Sequence, residues 1–207
     1  MSADANKMFP TIELNLFENA NSFVKCWSRL YNYSNYEQYQ AIVTKPTLST
    51  GDLRLLFEWK NGMNLSSKKE VSFLNQVLQH EELVNELKGE FENEKFENTF
   101  GRMSAIWQIF LLHIIQPSKY PIFDQHVYRA FRFIQNQDEK SLPFTRTAKL
   151  KVFYKEYLPF FLDMKDLADE HDYFEIDKAL WAFGRIIKEY PGLMTTQLNS
   201  ATAPNPS

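Results

Sequence analysis

The residue whose type and setting point most directly to chemistry is Asp124. It follows an extended link, Tyr120-Pro121-Ile122-Phe123, and opens a helical pattern that continues through Gln125, His126, Val127 and Arg129. A proline disfavours helical backbone in the residue before it, so the link runs extended toward the helix start. Aspartate is among the preferred helix N-caps. A carboxylate in that position is rigid, and backbone donors keep it ionised. Capping and chemistry are therefore compatible in one side chain, and the chemistry is electrostatic: a fixed negative charge facing developing positive charge. Gly101-Arg102, just ahead of a strongly apolar helix pattern that opens at Ser104, is a second and weaker feature. Glycine permits a tight turn there, free amides at a helix N-terminus attract phosphate, and Arg102 adds a charge-assisted contact. An ordinary structural helix start is the alternative reading.

The elements that must hold these residues read as helices throughout. Six glycines and nine prolines in 207 residues leave few turn clusters, which argues against a many-stranded fold. A content of 44% hydrophobic and 15% aromatic residues is enough for burial to outweigh chain entropy. The stretch Phe17–Tyr31 puts Phe23, Cys26, Trp27 and Leu30 on one face. Asp52–Trp59 is a short helix ended by Asn61-Gly62, and Ser66-Ser67 cap a helix with Val71, Leu74, Val77 and Leu78 as its stripe. Leu83, Val84 and Leu87 continue the helical pattern. Ser104–Ile115 is apolar nearly all round and belongs in the centre of the protein. The helix after Asp124 turns Val127, Ala130, Phe131 and Ile134 inward. Two more follow, over about Thr147–Leu162 and Ile176–Tyr190, the last burying Ile176, Leu180, Phe183 and Ile187. These short-linked helices predict one all-α domain over residues 1–192, with a disordered tail over 193–207 after Pro191-Gly192 stops the last helix.

Several classes are excluded or disfavoured. The single cysteine, Cys26, rules out an internal disulfide framework, a cysteine-rich zinc site and a four-cysteine iron–sulfur cluster. His80 and His171 have no partner at metal spacing, and His113 in its apolar helix reads as a satisfied core histidine, so no metal and no cofactor are expected. Residues 1–16 lack the pattern of a signal peptide, and the longest apolar run, Ile109–Ile115, is interrupted by His113 and too short to span a bilayer. A soluble cytoplasmic protein with no membrane role is the expectation. The net charge is −3 but unevenly spread: residues 101–158 carry nine bases and four acids, between 79–98 with seven acids and two bases and 159–190 with eight acids and four bases. That pattern predicts one positive face on an acidic molecule, with solvated helix faces as the alternative.

The segment Gly101-Arg102-Met103-Ser104-Ala105, read together with Phe123-Asp124-Gln125-His126-Val127-Tyr128-Arg129, resembles the helix-hairpin-helix DNA glycosylases. Those proteins carry a hairpin of the form Leu-Pro-x-Val-Gly-x-Lys-Thr-Ala, an apolar helix, and then Val-Asp-Thr-His-Val-x-Arg. Leu111-Leu112-His113 through Pro117 to Tyr120-Pro121-Ile122-Phe123-Asp124 is similar to a bacterial, 8-oxoguanine glycosylase-like branch. The match covers about a sixth of the chain. It departs from the family at Met103, where bifunctional members have lysine, and at Glu97-Asn98-Thr99-Phe100, where the hairpin begins with Leu-Pro. The hairpin-to-aspartate spacing is also a few residues longer.

The resemblance implies two helical lobes, about 50–120 and 10–49 plus 121–190, with a helix-hairpin-helix-like element and an active-site cleft between them. It implies a monomer acting on double-stranded DNA that contains a damaged or modified base. Asp124 becomes the catalytic carboxylate, and His126 and Arg129 orient its helix. Gly101, Arg102 and Ser104 meet the DNA backbone, joined by Arg132, Lys149 and Lys151 of the basic segment. Trp27, Tyr31, Trp59, Asn61 and Trp181 line a base pocket or wedge into the duplex, with Tyr33, Asp177 and Phe183 as further candidates. Without the hairpin lysine no amine is present for a Schiff base unless Lys60 or Lys119 replaces it, so hydrolysis is expected. Deaminated, alkylated or hypermodified bases, including the glucosylated cytosines of phage DNA, fit that chemistry. Amide side chains at Asn32, Asn35, Gln38, Asn61 and Asn64 suggest a roomy polar pocket. The alternative class is a non-catalytic DNA-binding or protein-interaction module of the same fold.

Overall fold

The computed structural model describes residues 19–137 and 141–190, and among them every regular element is helical. The expected start of the first helix at Phe17 and the expected tail lie outside the described residues. In chain order the helices are α1 (Ala20–Trp27), α2 (Tyr36–Val43), α3 (Thr50–Asn61), α4 (Ser67–Gln76), α5 (Glu81–Gly89) and α6 (Asn93–Phe100). They continue with α7 (Ala105–Ile115), α8 (Gln125–Ile134), α9 (Arg146–Val152), α10 (Leu158–Leu167) and α11 (Tyr173–Glu189). A π-helical stretch, Phe153–Tyr157, joins α9 to α10. No described helix is long and apolar enough to cross a membrane.

Local signals set most helix ends. Ser49 and Asp52 form a reciprocal capping box at the start of α3, and Gly62 ends that helix at φ 74°, a left-handed turn that glycine adopts without strain. Two expected faces are rotated. In α1 the core takes Val24 and Trp27, while Cys26 and Leu30 are exposed, because the helix stops at Trp27 and a 3-10 turn swings Leu30 outward. In α4 the buried stripe is Phe73 and Val77, and Val71 and Leu74 face solvent. Phe73, the largest apolar side chain available, packs on Phe57 at 5.2 Å and thereby fixes the helix rotation.

Helix α7 occupies the centre, packed against α5 and α9 and buried along both faces from Ile109 to Ile115. Its last carbonyls are satisfied from the side. The Lys88 amine donates to the backbone oxygens of Ile114 and Val43, each at 2.8 Å, at the C-terminal ends of α7 and α2. Burial pushes that amine down to about 8.

The packing that decides the site is α11 on α8. An added Cβ at Gly184 of α11 would lie 1.9 Å from the backbone oxygen of His126 on α8. The two helices therefore touch backbone to backbone, and Arg129 closes the crossing by donating to the Gly184 oxygen at 2.9 Å. Replacing Gly184 with alanine should lower stability by about 1–3 kcal/mol, since the overlap is with rigid backbone rather than a movable side chain. Gly89→Ala, where nothing lies within 4 Å of the new Cβ, should be neutral or slightly stabilising. Denaturant unfolding of both variants checks this, and equal midpoints would mean that the helices separate freely.

Candidate active site

The link before Asp124 is held by three buried side chains. The neutral His113 ring, driven down to about 3 by burial, donates from Nδ1 to the Tyr120 oxygen at 2.7 Å and accepts from the Tyr39 hydroxyl at Nε2. The Tyr157 hydroxyl donates to the Ile122 oxygen at 3.4 Å, and the Ile122 amide donates to Asp177 Oδ2 at 3.4 Å. Backbone polar groups in a buried extended segment need such partners, and together they aim the chain at the start of α8.

Asp124 is the N-cap of α8. Its Oδ1 accepts from the amides of His126 (2.8 Å) and Val127 (3.2 Å), and its Oδ2 from the Lys60 amine (3.1 Å). The Lys60 side chain is 9% exposed and that of Asp124 23%. Burial raises the Asp124 carboxyl, but Lys60, the neighbouring His126 and the Val127 amide outweigh it and hold the group below the usual carboxylate range. The result is a rigid, ionised carboxylate with one edge open.

It opens onto a cleft of about 370 Å³ formed by α3, α8, α11 and the segment before α2. From α11 the lining side chains Asp177, Trp181 and Lys188 recur at helical spacing, on the same stripe as Gly184. Trp181 packs edge-on against Tyr31 (5.0 Å) and tilted on His126 (5.0 Å). Trp59 stacks on Tyr39 at 3.8 Å and spends its indole N–H on the Ser34 oxygen. Asn61 lines the cleft while its amide donates to the oxygens of Met63 and Asn64. Asp177, also in the lining, is 6% exposed, and burial pushes its carboxyl well above the usual range, with Asp124 adding to the effect.

Other expected site residues lie elsewhere. Trp27 is in the core, 4.9 Å from Phe183 and 6.4 Å from Phe23, because it faces inward where α1 packs on α11. Phe183 is buried with it. Arg132 is also buried, donating to the Tyr128 hydroxyl (2.9 Å) and Glu156 (2.8 Å), so it ties α8 to the π-helical turn rather than facing outward. His126 Nδ1 has no hydrogen-bond partner, and the ring packs on Trp181 instead. Lys119 lies over the rings of Phe91 and Tyr120 and lines no cleft with Asp124. Asn35, Gln38 and Asn64 line a separate, smaller cleft of about 180 Å³ beside Trp59, and Asn32 accepts from Arg185.

Between α6 and α7 the chain turns over Gly101–Ser104. The Gly101 amide is already spent on the Glu97 oxygen at 2.9 Å, so it is not free for a ligand. Arg146 donates to the oxygens of Gly101 and Met103 and to Gln108, a tie that nothing in the sequence signals. Met103 is buried. Arg102 and Ser104 are exposed, as is Lys151 on α9. A second groove passes directly beside Asp124 and is lined by Ile106, Phe144 and Lys149, with Phe144 96% exposed. Phe144 and Lys60 are the site residues that sequence reading ranked too low or missed. Compared with protein-family models, curated proteins and solved structures, the chain has no match.

The buried Asp177 has a direct consequence for stability. In the folded protein burial pushes its carboxyl well above the usual range, whereas in the unfolded chain it ionises near the usual value of about 4. Above that pH unfolding releases a proton, so this group lowers stability as pH rises and has no effect below it. Asp177→Asn should therefore gain on the wild type between pH 4 and 7, by up to about 1.4 kcal/mol per pH unit. Guanidinium unfolding at both pH values measures it, and a pH-independent difference would mean that Asp177 is ionised in the fold.

Proposed function

We propose that the cleft excises a base from DNA, cleaving the N-glycosidic bond of a nucleotide flipped out of the duplex. The observation that carries this reading is Asp124: an ionised, N-capped carboxylate, open on one edge, in a cleft walled by Tyr31, Trp59 and Trp181. Aromatic walls accept a planar base. A fixed carboxylate stabilises the cationic, oxocarbenium-like sugar formed as the base departs, and orients the water that follows. On this reading α6, its turn and α7 act as the helix-hairpin-helix element, and α3–α7 face α1 and α2 with α8–α11 as two lobes across the cleft. Arg102, Ser104 and Lys149 meet the phosphates of double-stranded DNA, bound by a monomer. Phe144, exposed beside Asp124, is the wedge that fills the gap left by the base.

Asp124→Asn keeps an acceptor for the cap and for Lys60, so the variant should stay folded with a loss of no more than about 3 kcal/mol. Excision should fall by about 10²–10³, because a neutral amide does not stabilise a cationic sugar. Circular dichroism, DNA binding and release of base from duplexes with deaminated, alkylated, oxidised and hypermodified bases measure these effects. Near-full excision by the variant would reduce Asp124 to a cap. No excision of any base by the wild type, with DNA binding intact, would leave the non-catalytic DNA-binding reading.

The contact of Lys60 with Asp124 favours a second route on the same site. An amine at that distance from the carboxylate would add to C1′ as the base leaves with the C1′–N bonding pair, and opening of the C1′–O4′ bond with loss of a proton from nitrogen would then give an imine. In the ion pair, however, Lys60 is an ammonium without a lone pair, and hydrolysis is the primary expectation. Borohydride should trap no protein–DNA adduct and the product should be an intact abasic site. An adduct that disappears in Lys60→Ala would assign the imine route to Lys60.

A further inference from the structure

Among the described residues, three buried side-chain polar atoms lack any hydrogen-bond partner: Tyr36 Oη, His126 Nδ1 and Asp177 Oδ1. All three belong to residues that line the cleft holding Asp124. A buried polar group left unpaired costs about 1–3 kcal/mol, and native proteins pair nearly all of them. Here they are concentrated on residues of one concavity rather than scattered through the core.

The hydrogen-bonding character of these atoms follows from their surroundings. Asp177 Oδ2 accepts from the Ile122 amide at 3.4 Å, and burial pushes the carboxyl well above its usual range, which favours a proton on the unpartnered Oδ1. Burial, with Asp177 nearby, holds the Tyr36 phenol far above its ordinary range, so it too presents an O–H. Burial keeps His126 neutral, and its free Nδ1 adds a site whose polarity depends on the tautomer. Lys60, which also lines the cleft and bonds Asp124, is a further donor. Tyr36 Oη and Asp177 Oδ1 are thus two donors without partners on residues that line one aromatic-walled cleft.

We propose that Tyr36 and Asp177 form a recognition site for the carbonyl edge of a planar heterocycle, which selects deaminated bases such as uracil and hypoxanthine over the amino-bearing bases from which they derive. This rests on the base-excision reading and gives it a substrate class. An exocyclic amino group would place donor against donor, leaving buried groups unpaired on both sides. Deaminated bases sit in mismatched pairs, so they also cost less to extrude than a paired base.

The test measures binding of free bases to the full chain by calorimetry, comparing hypoxanthine with adenine and uracil with cytosine. The keto member of each pair should bind at least about tenfold tighter, a difference of about 1.4 kcal/mol. Tyr36→Phe and Asp177→Leu should each erase most of that preference, while Asp177→Asn, which still donates an N–H, should keep it. Equal or reversed preference, no binding up to millimolar base, or an Asp177→Asn variant as indifferent as Asp177→Leu would overturn the proposal. Should Asp177→Leu fail to fold, Tyr36→Phe and Asp177→Asn still decide. Duplexes carrying uracil or hypoxanthine then separate the two levels. Binding of keto bases without their release from DNA would sink the excision reading and leave the recognition site standing. Release of amino-bearing bases alone would do the reverse.

Discussion

Helices α8 and α11 meet where Gly184 lies against the backbone of His126, and the geometry of the cleft depends on that contact. The crossing is close because position 184 has no side chain, and Arg129 secures it by bonding the Gly184 oxygen. Two residues before His126, Asp124 caps α8. Seven residues before Gly184, on the same stripe of α11, stands Asp177. Separation of the two helices would therefore move both carboxyls, widen the gap between Trp181 and His126, and loosen the amide bonds that hold Asp124. The link Tyr120–Phe123 adds a second restraint through His113, Tyr157 and Asp177, so the carboxylate is fixed from both sides along the chain.

The cleft places two carboxyls in one space and drives them in opposite directions. Asp124 has two backbone amides and an amine, which outweigh its burial. Asp177 has one long amide bond and is otherwise enclosed, so burial dominates and the nearby negative charge of Asp124 reinforces it. Environment alone thus separates one chemical group into a fixed charge and a neutral donor, the arrangement by which sites assign different roles to like residues. Lys60 is the pivot of this asymmetry, since it bonds Asp124 and only pulls on Asp177 from a distance.

How far the site was legible depended on whether its cause was local. Asp124 was readable because a proline-held extended link running into an amphipathic helix is a local signal, and the cap it predicts is formed. The helix stop at Asn61-Gly62, the buried α7 and the satisfied His113 were readable for the same reason. Lys60 reaches Asp124 across a sequence separation of 64 residues, and no spacing rule joins them. Arg146, which ties the turn before α7, is equally remote from its partners. Trp27 and Arg132 misled for one reason: amphipathic residue types say little about which way a helix is turned. Trp27 faces α11, and Arg132 finds Tyr128 one turn earlier and Glu156 beyond. The faces of α1 and α4 differ from the sequence pattern for similarly non-local reasons: α1 stops at Trp27 and a 3-10 turn carries Leu30 outward, and Phe73 packed on Phe57 fixes the rotation of α4.

The unpaired atoms carry a last step. A domain of this size has a net stability of only about 5–15 kcal/mol. Three unpaired buried groups at about 1–3 kcal/mol each are a substantial fraction of it. Apolar side chains of similar shape at Tyr36 and Asp177 would pack as well and remove that cost, as phenylalanine and leucine do elsewhere in this core. Side chains that weaken the fold where alternatives exist are the usual mark of a functional surface rather than of packing. Here the two fall on the wall of the same cleft that holds an ionised carboxylate and a line of aromatic rings. Stability, electrostatics and shape therefore converge on one place, the cavity between Trp59 and Trp181, as the position for a planar, polar ligand.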